Sequence, residues 1–231
     1  MLLANTVQAA RAFLIKMRKA WIGTDEAGKG DYFGPLVVAG VYVNHEIGPK
    51  LRRLNIRDSK RVSDAKVKEL AGEIRSLCPH TVVAIGPEKY NELYEKMKNL
   101  NRILAWGHAR TIENLLEETP CSRVLSDRFG DERFILNALM KKGKKIELEQ
   151  KHKAEEDVAV AAASILARAE FLIRLERLSR QWGVDLPKGA THVAEAGRRL
   201  VKEHGQQILT KVAKIHFKTT RSLRSPDDGP G

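Results

Sequence analysis

The sequence has 231 residues, enough to bury one sizeable core, and its 42% hydrophobic and 30% charged residues exclude general disorder. Lys plus Arg number 41 against 29 Asp plus Glu, a net charge of +12, which points to a polyanionic partner. Apolar runs such as Leu36–Val43 and Val158–Ala167 are too short to span a bilayer, so nucleic acid is favoured over a membrane. Cys78 and Cys121 make neither a disulfide framework nor a zinc site, and a cytoplasmic location is expected.

Taken in chain order, the first 21 residues hold Arg11, Lys16, Arg18 and Lys19 and no acid. Val7, Ala10, Leu14, Met17 and Trp21 recur at helical spacing, which predicts a basic amphipathic helix over residues 1–20, with a transit peptide as the alternative. Trp21–Thr24 and Leu36–Val43 read as strands joined through the glycine-rich Glu26–Pro35. Ser63 is placed to cap a helix with Val67, Leu70, Ala71, Ile74 and Leu77 on its apolar face. Thr81–Ile85 reads as a buried strand, and Pro87 suits a helix start.

A long helix is predicted over Asn101–Glu118, then a strand over Arg123–Ser126 that ends at Asp127. Lys144–Glu149 reads as a polar edge strand. The alanine-rich Ala159–Leu178 is the least ambiguous helix, and one or two basic helices are expected after Pro187. The turn-rich tail 225–231 reads as disordered. Strands alternating with helices predict an α/β fold, without internal repeats.

The segment Gly23–Pro35, GTDEAGKGDYFGP, carries the chemistry. Its first seven residues match the start of a phosphate-binding loop, but Gly30 stands where that motif needs Ser or Thr, so the match fails. Asp25 and Glu26 fall where a strand meets the turn, and neighbouring carboxylates there are costly without a cation. An Asp-Glu pair also fits a solvated loop. Asp127 ends a second strand, where α/β sheets tend to carry their sites. Glu155 precedes the alanine-rich helix with Glu156 and Asp157, a position that equally suits a cap or a helix-dipole partner. Four carboxylates without a histidine ligand pattern fit Mg²⁺ or Mn²⁺. On so basic a chain they predict a two-metal phosphodiesterase.

These same segments, GTDEAGKGDYFGPLVVAGV, the DSK at Asp58–Lys60, LSDRF, and KAEEDVAVAAASILAR, resemble the type 2 ribonucleases H. GDYFGP, NLNRILAWGHARTIENLL, LPKGA and KIHF resemble the ribonuclease HIII branch in particular, and the likeness runs from about Ile22 to Arg221. The resemblance implies a ribonuclease H-like fold, a mixed central sheet flanked by helices, with a catalytic domain over residues 21–224 that includes the C-terminal helices. It implies hydrolysis of the RNA strand of RNA/DNA hybrids, with Asp25, Glu26, Asp127 and Glu155 both catalytic and holding two divalent ions, and 5′-phosphate and 3′-hydroxyl products. It places Gly28, Lys29, Gly30, Ser59 and Lys60 at the substrate, the glycine turn reading ribose 2′-hydroxyls. From the sequence, no membrane and no obligatory protein partner are expected.

The chain departs from the family pattern at several points. Lys29 stands where the HIII branch usually has threonine and the HII branch arginine. The interval from Glu155 to Ser164 is a residue short, leaving Glu156 as an alternative fourth ligand. HIII enzymes typically carry an N-terminal substrate-binding domain, and here the basic N-terminal helix is expected to supply part of that affinity. Where HII enzymes have a tyrosine that reads RNA–DNA junctions, this chain has Ala190, so incision at single ribonucleotides is expected to be poor. Nine Lys or Arg against four Asp or Glu from Pro187 onward predict a nucleic-acid groove there. His108 is expected to be a hydrogen-bonded helix residue rather than a catalyst. The rival readings are an HII-like enzyme that also incises at single ribonucleotides, and a hybrid-binding protein without catalysis.

Overall fold

The computed structural model describes residues 20–56 and 62–223. The expected N-terminal helix (save Ala20), Ser59, Lys60 and the tail lie outside the described residues.

Two apolar runs on either side of the glycine-rich turn form the antiparallel pair β1 (Trp21–Ala27) and β2 (Leu36–Val43). β2 is buried on both faces, as its unbroken apolar sequence demands. Next comes a short helix, α1 (Ile47–Arg53), which the hydrophobic period does not reveal. Asn44 starts it, its Oδ1 accepting from the amides of Glu46 and Ile47 at 3.0 and 2.9 Å. α2 (Asp64–Leu77) begins at Ser63, whose Oγ accepts from the Lys66 amide as expected. β3 (His80–Ile85) pairs antiparallel with β2, and α3 (Pro87–Met97) has its proline in the first turn.

Asn99 caps α4 (Leu100–Glu118), and β4 (Arg123–Asp127) then pairs parallel with β1. A second short helix without a clear period, α5 (Arg133–Ala138), leads to β5 (Glu147–Lys151), which pairs parallel with β4. The predicted strand Lys144–Glu149 is therefore shifted toward the C-terminus. Gly143–Lys145 instead forms a 3₁₀ turn, because the buried Glu113 carboxylate accepts from the amides of Met140 and Gly143 at 2.6 and 2.9 Å. β5 is an edge strand with alternating exposure, as expected.

A 3₁₀ turn at Ala154–Glu156 precedes α6 (Val158–Trp182), longer at both ends than the alanine-rich pattern. Asp157 caps it, accepting from the amides of Ala159 and Val160, and Gly183 closes it in the left-handed conformation. Three short helices follow where one or two were expected: α7 (Ala194–His204), α8 (Ile208–Val212) and α9 (Thr219–Leu223). Among the described residues no helix is long and apolar enough to cross a membrane.

The sheet order is β3-β2-β1-β4-β5, mixed as expected. Odd-numbered residues of β2, Val37 to Val43, join the core beneath α6 and α2, while Leu36 and Tyr42 face α3 and α4. The α6 backbone sits directly on β1. A Cβ at Gly23 would lie 2.3 Å from the Ala159 carbonyl carbon, so only glycine allows that approach.

Candidate active site

β1 runs one residue past the paired acids, to Ala27, so Asp25 and Glu26 lie inside the strand rather than at its junction with the turn. The reason is the ladder with β2, in which Asp25 pairs with Ala39 and Glu26 with Val38. On the other side, pairing with β4 runs only from Ile22 to Thr24, and beyond it the two parallel strands part. A cleft of about 330 Å³ opens there, lined by all four expected carboxylates, Asp25, Glu26, Asp127 and Glu155.

Successive strand residues face opposite sides of a sheet, which gives the neighbouring acids different partners. Asp25 turns to α6, where Ser164 hydrogen-bonds its carboxylate, and it accepts from the Glu26 amide at 2.8 Å. Burial, then the charges of Glu26 and Asp127, push Asp25 up to about 7. Glu26 turns to α4. Its Oε2 accepts from His108 Nε2 at 3.2 Å and its Oε1 from Lys29 Nζ at 2.8 Å. Burial pushes Glu26 up as well, but His108 and Lys29 outweigh it and hold the carboxylate at about 2.

Asp127 is raised too, by burial first and then by Glu155 and Glu26, although its Oδ1 accepts from the Ala154 amide at 3.2 Å. That bond ties the end of β4 to the 3₁₀ turn bearing Glu155. Lys153, in the left-handed conformation with φ of 56°, turns the chain there. The neighbouring acids are placed otherwise. Glu156 is exposed and does not line the cleft. Asp157 is the α6 cap and also accepts from Trp21 Nε1 at 2.9 Å, while Asp131 pairs with Arg133.

Gly28, Lys29 and Gly30 form one wall. Gly28 has φ of 86°, and a Cβ on it would meet the Pro35 carbonyl oxygen at 2.2 Å. The C-terminal segment frames this turn from behind. The Asp31 carboxylate accepts from the Gly189 amide at 2.6 Å, and Tyr32 donates to the Gly189 carbonyl at 2.8 Å. Lys214 is fully buried, its ammonium donating to the carbonyls of Asp31 and Gly34 at 2.8 Å each and of Phe33 at 3.4 Å. It thus holds the loop from behind and is not one of the C-terminal basic residues that face a groove. His216 likewise faces inward, stacked on Tyr94 and tilted against Tyr90. From that segment it is Lys188 that lines the cleft, and with Arg168 of α6 it pairs with Asp64.

Sequence reasoning missed Ser164, Arg168 and Lys188 as cleft residues. Ser164 and Arg168 sit in the run with helical period after Glu155, spaced four apart and so on one face, which is a readable signal. His108 is the hydrogen-bonded helix residue expected, but its bond to Glu26 was not visible in the sequence. The donor set of the cleft is all oxygen, and its carboxylates raise one another, which suits a hard divalent cation. Among the described residues no three such side chains close on one ion-sized point. The acids instead ring an open cleft, as mutually repelling carboxylates do.

The fold and this cleft define a ribonuclease H-like chain. A family model described as Ribonuclease HII matches residues 22–220, and the chain belongs to that family of type 2 ribonucleases H. Its relatives include the ribonuclease HIII of Protochlamydia amoebophila, 48% identical over 203 residues covering 87% of this chain and 67% of the relative. The ribonuclease HIII of Chlamydia pneumoniae is 50% identical over 203 residues, 86% of this chain and 68% of the relative. The crystal structure of Bst-RNase HIII in complex with Mn²⁺ superposes with a TM-score of 0.83 at 35% identity, covering 92% of this chain and 71% of that one. Within the family the chain stands with the ribonucleases HIII, and it is an enzyme, a ribonuclease H.

Proposed function

We propose that this chain hydrolyses the RNA strand of RNA/DNA hybrids, with Asp25, Glu26, Asp127 and Glu155 holding two divalent ions, Mg²⁺ or Mn²⁺. One observation carries the reading: four carboxylates and the cations Lys29, Arg168 and Lys188 line one cleft. Bare carboxylates repel a phosphodiester, whereas carboxylates neutralised by bound cations beside basic side chains attract one. The ribonuclease HIII relatives and the Mn²⁺ complex of Bst-RNase HIII support it.

The chemistry supplied by two bound divalent ions is activation of the attacking water and stabilisation of the departing 3′-oxygen, leaving 5′-phosphate and 3′-hydroxyl ends. The protein's own groups orient the substrate. The turn at Gly28–Gly30 brings main chain close enough to read ribose 2′-hydroxyls, which separate RNA from DNA. Lys29, Arg168 and Lys188 hold the phosphate backbone. Ser164 and the Glu26 amide fix Asp25, and Ala154 fixes Asp127. Ala190, beside the Gly189 that braces Asp31, offers no ring to stack at an RNA–DNA junction, which favours uniform hybrids over single embedded ribonucleotides.

Asp127→Asn, assayed with a labelled hybrid, tests the reading against a protein that only binds. The variant is expected to bind the hybrid and to lose cleavage by at least ~100-fold. Equal, trace cleavage by wild type and variant, with both binding, would leave a hybrid-binding protein.

A further inference from the structure

His108 is fully buried on α4, on the side of the sheet opposite α6, and it reaches both strands that carry the central acids. Its Nε2 lies 3.2 Å from Glu26 Oε2. Its Nδ1 lies 2.9 Å from Thr24 Oγ1 and 3.4 Å from Ser126 Oγ. Thr24 immediately precedes Asp25, and Ser126 immediately precedes Asp127. The ring stacks on Phe129, two residues past Asp127, with centroids 4.9 Å apart and planes at 22°. One imidazole therefore joins α4, β1, β4 and the segment after β4 at the point where β1 and β4 part.

The chemistry of the partners assigns the ring's protons. An ionised carboxylate only accepts, so Nε2 carries hydrogen and donates to Glu26. Nδ1 lies within reach of the Thr24 and Ser126 hydroxyls, so both nitrogens of the buried ring have partners. Glu26 is thus gripped at Oε2 from behind the sheet, while its Oε1 faces the half-exposed Lys29 on the cleft side. Without His108 the carboxylate could swing about its terminal torsion, which is soft.

We propose that His108 is a positioning residue of this enzyme: it fixes the Glu26 carboxylate, and through it sets how tightly the cleft holds a divalent ion. The proposal rests on the metal-site reading above. It follows the general rule that groups hydrogen-bonded to a metal-binding side chain govern affinity by orienting it.

The test is a Mn²⁺ titration without substrate, with free ion followed by its electron paramagnetic resonance signal, on wild type, His108→Gln, His108→Leu and Thr24→Val. The glutamine amide nitrogen reaches the place of Nε2 and can still donate to Glu26, whereas leucine cannot. His108→Leu is expected to weaken Mn²⁺ binding ~10-fold or more, and His108→Gln to stay within ~3-fold of wild type. Thr24→Val, which removes the hydroxyl that orients the ring, is expected to fall between them and decides the matter should the leucine variant not fold. Hybrid cleavage by His108→Leu is expected to recover in part as Mn²⁺ is raised. Wild-type Mn²⁺ affinity in folded His108→Leu, or in Thr24→Val where leucine does not fold, would overturn the proposal and leave His108 a packing residue, whatever the thermal stability. Absence of Mn²⁺ binding by the wild type would instead overturn the metal-site reading beneath it.

Discussion

Asp25 and Glu26 are adjacent in the chain, yet they face opposite sides of one strand, and their proton affinities diverge accordingly. Asp25, against α6 and next to two other acids, is raised to about 7, while Glu26, donated to by His108 and Lys29, is held at about 2. The pair reaches the cleft because β4 stops pairing with β1 at Thr24. Of Glu155 and Glu156, Glu155 is the one that lines that opening, which favours it as the proposed fourth ligand. Glu155→Gln is expected to lower cleavage of a labelled hybrid by at least ~10-fold, whereas Glu156→Gln should leave it within twofold of wild type. The reverse ranking in kcat would assign the role to Glu156. The four acids were legible in the sequence because Asp25 and Glu26 adjoin a glycine-rich turn, Asp127 ends a strand and Glu155 precedes an alanine-rich helix. His108 was not, because its partner lies 82 positions away in the chain and only the stacking of α4 on the sheet brings them together.

The elements that position the cleft differ in how openly the sequence declares them. α4 and α6 have long apolar periods and their existence was evident, whereas α1 and α5, of 7 and 6 residues, are too short to show one. β5 was displaced because Glu113, buried on α4, captures the Met140–Gly143 amides and bends the lysine-rich stretch into a turn. The C-terminal helices read as a basic surface, but Lys214 lies inside, bracing the carbonyls behind the glycine turn. Burial pushes that ammonium down to about 7, against the pull of Asp31. Its unfolded value is near ~10.4, so between about 7 and that value the unfolded chain binds more protons than the folded one. Stability therefore rises with pH across that window, and the full cost of burying the charge is present below it. The difference in unfolding free energy between wild type and Lys214→Met should grow from pH 7 to 10 by up to ~1.4 kcal/mol per pH unit. A difference that stays flat would show that Lys214 keeps its proton throughout.

At the scale of the whole molecule, the chain carries a net charge of +12, and among the described residues one cleft gathers four carboxylates together with Lys29, Arg168 and Lys188. The excess of cations announced a polyanion, and the position of the minority acids marked where chemistry on it would occur. Removing residues 1–18, which hold Arg11, Lys16 and Arg18 and no acid, should weaken hybrid binding and flatten its salt dependence. An unchanged binding constant across salt would place the affinity in the cleft alone. The most direct test of the central claim is a cleavage panel with Mg²⁺ and Mn²⁺ in turn, comparing a uniform RNA/DNA hybrid, a DNA duplex with one ribonucleotide, double-stranded RNA and double-stranded DNA. The predicted result is metal-dependent cutting of the hybrid's RNA strand to 5′-phosphate and 3′-hydroxyl ends, little incision at the single ribonucleotide, and none of the other duplexes. Cutting of double-stranded DNA or RNA as readily as the hybrid, or cutting of the hybrid with all divalent ions chelated, would contradict it.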